Sequence, residues 1–219
     1  MKCVLVLAGL DPSGGAGLLA DAEAVRAAGA KPLCVATALT VQTTRRAHRF
    51  ETVDVKLLED SVRALLEEED VGAIKIGMIG SEEIGEALQA LLPRDLPRVV
   101  DPVLRASSGA SLLRGSPQVY LRLARSGVLT PNLPEAAELG ELPGLVLLKG
   151  GHRDGDLITD TLRTPAGSED FSAPRISAAK RGTGCRLASF MAARLALGSD
   201  LRSAVLDART FVRTYLSAP

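Results

Sequence analysis

The chain has 219 residues, of which 46% are hydrophobic and 24% are charged, as expected of a globular protein with a full-sized core. Its 26 lysines and arginines balance 26 aspartates and glutamates, so bulk charge supports binding neither to nucleic acid nor to a membrane surface. The longest apolar runs, such as Val4–Ala8, are far shorter than the ~20 residues of a membrane-spanning helix.

Apolar runs of strand length alternate with helical patterns along most of the chain. Residues 2–8 form a continuous apolar run typical of a strand buried on both faces. Further strands are predicted at 33–39, 71–77, 98–101, 127–130 and 145–149, with a hairpin of 157–163 and 169–173. Helices are predicted at 16–28, 53–68, 81–92, 116–125, 134–139, 183–197 and 201–216. This order predicts a three-layer helix–sheet–helix α/β fold, with a mostly parallel sheet and an antiparallel edge hairpin, in a single domain over residues 1–219.

Ligands of open α/β sheets bind beyond the carboxyl ends of the strands, and here those ends are rich in glycine, acids and amides. The loop Gly9–Gly17 follows the first strand and opens the first helix. Backbone N–H groups at such a junction favour an anion, although the glycine spacing fits neither the dinucleotide fingerprint nor the P-loop. The alternative is a tight turn, for which glycine is the default residue.

A second glycine-rich segment, Gly182-Thr183-Gly184-Cys185, immediately precedes or begins a predicted helix. Open N–H groups there could form an anion hole that stabilises a transferring phosphoryl group. Cys185 falls in the first turn, where the helix dipole lowers a thiol pKa and favours the thiolate, so it could accept a proton or line the pocket. The alternative is a plain helix start with an inert buried thiol.

The turn after the strand at 127–130 carries Asn132 and Glu135. Oxygen ligands of this kind suit Mg²⁺, which is shared with substrate phosphates and water. The same two residues also have the spacing of a helix capping box, and both interpretations stay open. Asp101 could join the metal site or cap the next turn. Lys149 ends a buried strand, where it must find water or an anion, so we expect a phosphate contact.

Three widely spaced cysteines and two histidines, His48 and His152, form no disulfide framework and no zinc pattern. We therefore expect a reducing cytoplasm as the compartment. His152 is interpreted as a loop residue without a catalytic role.

Taken together, these segments resemble the hydroxymethylpyrimidine/phosphomethylpyrimidine kinase family of thiamine biosynthesis, within the ribokinase-like superfamily. The resemblance runs from Leu5 to about Ala193. It rests on seven motifs in order, which are the segments 8–17 with Ala20-Asp21, 37–42, 75–78, 101–103, 130–136, 149–152 and 182–185.

The resemblance implies an ATP- and Mg²⁺-dependent kinase that phosphorylates an aminopyrimidine at its hydroxymethyl group, or at the phosphate of its monophosphate. The residues that would line the pyrimidine site are Gly9, Ala16, Asp21, Gln42, Met78 and Val103. The metal and phosphates would be held by Asp101, Glu135 and Asn132, the ATP phosphates by Lys149, and the anion hole would be formed by Gly182, Thr183 and Gly184. Cys185 would stand where related sugar kinases carry a catalytic aspartate. We also expect a homodimer.

Four departures from the family pattern stand out. The stretch 140–144 leads almost directly into a strand where the family has a helix, and Arg181 and Arg186 flank the segment 182–185. Leu19 replaces a usual glutamine and Ser107 a common lysine. The two arginines could bind a phosphate of the substrate. Two rival functions remain, a pyridoxal kinase and a pyrimidine-binding protein without turnover.

Overall fold

The structure, a computed structural model, describes residues 1–142, 144–151, 155–178 and 180–218. Its strands in chain order are β1 (Cys3–Leu10), β2 (Lys31–Gln42), β3 (Ala47–Thr52), β4 (Val71–Ile76), β5 (Gly80–Ser81), β6 (Arg98–Val100), β7 (Leu113–Arg114), β8 (Val128–Leu129), β9 (Leu145–Leu148), β10 (Leu157–Thr164) and β11 (Gly167–Pro174). Its helices are α1 (Gly17–Ala27), α2 (Val55–Glu68), α3 (Glu82–Leu91), α4 (Val119–Leu123), α5 (Leu133–Leu139), α6 (Thr183–Ala196) and α7 (Leu201–Ser217), with a 3₁₀ turn at Ala124–Ser126.

Nine strands form the main sheet in the order β11-β10-β9-β8-β6-β4-β1-β2-β3. The six strands from β9 to β2 are mutually parallel, and β10 and β11 add an antiparallel hairpin at one edge. The predicted fold class is therefore confirmed. A strand that no sequence pattern indicates, β3, pairs antiparallel with β2 and makes the opposite edge antiparallel as well.

The core lies on both faces of this sheet because β1 sends alternate side chains to opposite sides. Val4 and Val6 join a cluster with side chains of α1, α6 and α7. Leu5 and Leu7 join a second cluster with side chains of α2, α3 and α4. All four are fully buried, which explains why β1 reads as an uninterrupted apolar run.

Local signals place most helix boundaries where the sequence predicts them. Ser81 and Asp54 accept hydrogen bonds from the N–H groups of Ile84 and Leu57, as N-cap residues do. The predicted helix 116–125 is shorter than expected, because it divides into α4 and the 3₁₀ turn. No helix within the described ranges is long and apolar enough to cross a membrane, and the three cysteines are free thiols.

Candidate active site

A cavity of about 690 Å³ lies at the carboxyl ends of the parallel strands. Every residue that the sequence analysis assigned to the site lines this cavity, with the exception of Asp21. Because these residues come from seven separate segments, the cavity brings together groups far apart in the chain, as the crevice rule for α/β sheets predicts.

The anion-hole segment lies at the N-terminus of α6. Gly182 has φ of 71°, and a Cβ there would overlap the Gly15 carbonyl oxygen, so only glycine fits. Glycine offers no side chain to cap the helix, and the first N–H groups of α6 stay open to a ligand. A Cβ on Gly184 would lie 3.1 Å from Lys149 Nζ and 3.8 Å from Asp101 Oδ2. The segment therefore borders the charged groups directly.

Cys185 lies in this first turn, but the expectation of a low thiol pKa is wrong. Burial, together with the negative charges of Asp21 and Asp101, raises the pKa of Cys185 to about 11, against the opposing effects of Lys75 and the Gly17 N–H group. Loss of water around the thiolate outweighs the helix dipole here. Cys185 is therefore a protonated thiol at neutral pH.

The turn between β8 and α5 confirms the capping box, whereas the magnesium role of Asn132 and Glu135 stays a prediction. Asn132 Oδ1 accepts a hydrogen bond from the Glu135 N–H at 2.9 Å, and Glu135 Oε2 accepts one from the Asn132 N–H at 2.8 Å. This is a complete capping box. Both residues nevertheless line the cavity, so the cap holds the Glu135 carboxylate in a defined place beside the site.

Lys149 is the cation of this group. Its Nζ lies 2.6 Å from Asp101 Oδ1 and 3.9 Å from Glu135 Oε2. Burial opposes the charge, but the two carboxylates outweigh it and raise the pKa of Lys149. Burial raises the pKa of Glu135 to about 7, with Lys149 lowering it and Asp101 raising it. Two carboxyl groups thus border a single lysine, an arrangement that favours an added cation.

Another part of the cavity wall carries residues predicted for the pyrimidine. A Cβ on Gly9 would lie 2.6 Å from Met78 Sδ, so the glycine is required for Met78 to pack there. Met78 shares a small apolar cluster with Phe50 and Leu112, against which Val103 packs. Gln42 is the polar member of this wall, and its Nε2 donates to Asp11 Oδ2 at 3.0 Å.

Asp21 does not reach the cavity, which corrects its assignment to the pyrimidine site. Its side chain is fully buried beneath the cavity floor, where Oδ2 lies 2.8 Å from Lys75 Nζ and Oδ1 accepts a hydrogen bond from Ser189 Oγ at 2.7 Å. Lys75, which the sequence analysis left without a role, lines the cavity instead. The sequence does contain a signal for this ion pair, because Lys75 stands between two apolar residues of a strand and a buried lysine requires an acidic partner.

The two unusual arginines have different surroundings. Arg181 lines the cavity, and its guanidinium lies 3.3 Å from Asp11 Oδ2. Arg186 is buried, its Nη2 lies 2.6 Å from Glu23 Oε2, and its guanidinium stacks on the Tyr215 ring. It therefore ties α6 to α1 and α7 and is not part of a phosphate site.

At the departure in the stretch 140–144, α5 ends at Leu139 and β9 begins at Leu145. Ser107 lines the cavity, whereas Leu19 is half exposed and lies outside its lining. His152 lies outside the described residues.

Comparison with known proteins agrees with this geometry. The family model for phosphomethylpyrimidine kinase matches residues 11–219. The chain is 34% identical to the hydroxymethylpyrimidine/phosphomethylpyrimidine kinase of Escherichia coli (strain K12), over 97% of this chain and 90% of that protein. The structure of phosphomethylpyrimidine kinase from Clostridium difficile 630 matches with a TM-score of 0.81 at 29% identity, over 99% of this chain and 100% of that one. The pyridoxal kinase of Staphylococcus aureus in complex with ADP matches with a TM-score of 0.85 at 26% identity, over 99% and 88%.

The sheet order, the open helix terminus and the charged groups beside it define a ribokinase-like small-molecule kinase, a class that uses ATP. The family match extends over almost all of the chain. The chain belongs to the phosphomethylpyrimidine kinase family, the phosphotransferases of thiamine biosynthesis that act on hydroxymethylpyrimidine and its phosphate.

Proposed function

We propose that the chain transfers the γ-phosphoryl group of ATP to the hydroxymethyl oxygen of 4-amino-5-hydroxymethyl-2-methylpyrimidine, and in a second reaction to the phosphate of the monophosphate. The observation that carries the proposal is a single cavity in which the α6 N-terminus lies beside Lys149 and Asp101 and which Gln42 and Met78 also line. Phosphoryl transfer depends chiefly on positioning and charge neutralisation, and this arrangement supplies both.

The donor set is compatible with magnesium. Asp101 and Glu135 both border Lys149 Nζ, and Mg²⁺ is commonly held by one or two carboxylates together with substrate phosphates and water. Within the described ranges, no group of three or more acidic, histidine or cysteine side chains would hold a metal by itself. When bound there, Mg²⁺ would neutralise charge on the transferring phosphoryl group.

The residues of the chain have separate tasks in this proposal. Lys149 and Asn132 hold the nucleotide phosphates, and the N–H groups of residues 182–184 stabilise the equatorial oxygens of the transferring group. The substrate oxygen forms its bond to the γ-phosphorus while the bond to the ADP oxygen breaks. Cys185 Sγ accepts the hydroxyl proton in its thiolate form, which is the minor but strongly basic form at neutral pH.

An ADP-release assay with hydroxymethylpyrimidine, its phosphate and pyridoxal tests the function. We expect turnover with both pyrimidines, loss of turnover in EDTA and recovery with added Mg²⁺. Lys149→Met should abolish turnover, while Lys56→Met, which removes an exposed lysine on α2, serves as the matched control.

A second candidate is pyridoxal kinase, favoured by the structural match to the Staphylococcus aureus enzyme. Turnover with pyridoxal alone would establish it. Measurable pyrimidine binding without turnover on any substrate would instead identify a binding protein.

We also propose a homodimer. Leu39 and Val41 are about half exposed on one face of β2, beside the edge strand β3, whose outer backbone groups can pair with another strand. Light scattering coupled to size-exclusion chromatography should give twice the chain mass for the wild-type protein. A monomer mass would contradict this proposal.

A further inference from the structure

Asp11 joins three loops at the cavity wall. It follows β1 and is almost fully buried. Its Oδ1 accepts hydrogen bonds from the Ser13 N–H and Oγ at 2.9 and 2.6 Å. Its Oδ2 accepts one from Gln42 Nε2 at 3.0 Å and lies 3.3 Å from Arg181 Nη2. The carboxylate thereby connects the β1–α1 loop, the end of β2 and the residue before the anion hole.

We propose that Asp11 is a positioning residue that sets the orientation of the Gln42 amide, so that Gln42 selects a ring carrying an amino group over a ring carrying an oxygen at the same position. This inference rests on the proposed function, because it concerns the substrate wall of the same site.

The Asp11 and Gln42 side chains differ in what they can donate and accept. An ionised carboxylate only accepts hydrogen bonds, whereas an amide has one donating and one accepting end. Asp11 Oδ2 accepts the hydrogen bond from Gln42, so the Gln42 nitrogen turns toward it. The Gln42 oxygen is then the end available to a ligand.

Among the described residues, no group donates a hydrogen bond to Gln42 Oε1, although Gln42 lines the cavity. A ring amino group supplies the missing donor. A ring oxygen at that position would set two acceptors against each other, and a site built for one partner rejects an analogue that leaves its polar groups unpaired.

The test compares two substrates that carry the same hydroxymethyl group, the 4-amino pyrimidine and its 4-oxo analogue. Asp11→Asn can either accept from or donate to Gln42, so the amide orientation is no longer fixed. We expect the ratio of kcat/KM for amino over oxo to fall at least tenfold. Asp200→Asn is the control, because Asp200 is the exposed N-cap of α7 and asparagine caps a helix equally well. Its ratio should match that of the wild type.

The ratio separates positioning from a merely structural effect. A loss of activity caused by displacement of Arg181 or of the β1–α1 loop lowers kcat/KM for both substrates alike, so it cancels in the ratio. In Gln42→Leu the ratio should also collapse, and adding Asp11→Asn to that variant should change it no further, since Asp11 acts through Gln42. Asp11→Ser, which is smaller, replaces Asp11→Asn if the latter does not fold.

An unchanged ratio in the Asp11 variant, or a further drop in the double variant, would overturn the proposal. Failure of the proposed function is distinct from this, because wild-type protein would then release no ADP with the amino substrate.

Discussion

The buried ion pair beneath the cavity gives the sharpest prediction about stability. Lys75 and Asp21 are both fully buried, with Nζ and Oδ2 2.8 Å apart. Replacing Lys75 by methionine keeps an unbranched stem of similar volume and removes the charge. Among the residues that the structure describes, Asp21 then retains one side-chain partner, the Ser189 hydroxyl, and its side chain is fully buried.

Removing one member of a buried pair leaves an uncompensated charge, which costs about 3–5 kcal/mol. For a chain of this length, each kcal/mol lowers the melting temperature by about 2–4 °C. Lys75→Met should therefore melt about 6–20 °C below the wild type. Differential scanning calorimetry with parallel urea unfolding at pH 7 measures both quantities without reference to activity. Adding Asp21→Asn should recover much of the loss, because the stranded charge is then gone.

The matched control is Lys56→Met on α2. Lys56 and Asp60 also form an ion pair, at 2.6 Å, but both are largely exposed, and solvent screens such pairs. Its melting temperature should equal that of the wild type. Equal melting temperatures for Lys75→Met and Lys56→Met, or a double variant less stable than Lys75→Met alone, would refute the reasoning.

Three further predictions concern the site. Cys185→Ala should lower kcat far more than it weakens pyrimidine binding, because the thiolate acts only on the hydroxyl proton. Stopped-flow turnover measures kcat and equilibrium titration measures binding. Unchanged turnover would mean that Cys185 only packs in the cavity wall. Because the pKa of the Cys185 thiol is about 11, its alkylation rate should rise about tenfold per pH unit from pH 7 to 10. Peptide mass spectrometry measures this rate in the Cys34→Ala variant, which lacks the exposed thiol. A plateau below pH 8 would instead indicate a stabilised thiolate. Glu135→Gln removes a carboxylate but keeps the capping box, which glutamine also completes. The Mg²⁺ concentration for half-maximal turnover should therefore rise, while the melting temperature stays unchanged. Identical metal titrations for the variant and the wild type would show that Glu135 only caps the helix.

Asp21 pairs with Lys75 beneath the cavity and does not line it, which changes the expected consequence of its mutation. As a pyrimidine contact it would affect substrate affinity first. As the partner of Lys75 it supports the floor of the cavity, and its loss should appear first in stability. The same distinction applies to Arg186, whose stacking on Tyr215 and ion pair with Glu23 make it a link between helices.

Much of the fold could be predicted from local patterns. Neither face of an apolar run such as β1 carries polar side chains, so its composition predicts that both faces of the strand are buried. Capping residues such as Ser81 act within one helical turn and mark its start. The strand β3 escaped prediction because Ala47–Thr52 is short and mostly polar, and only its pairing with β2 makes it a strand.

The sequence by itself determined which elements form, that their strand ends would carry the polar groups, and which motifs would meet there. The tertiary structure alone decided that Asp21 faces Lys75, that Arg181 reaches the cavity while Arg186 does not, and that Cys185 keeps its proton. Periodicity within one element is a local property. The distance between charges on different elements, and the water removed from around them, depend on packing across the sheet, and these two quantities control pairing and pKa.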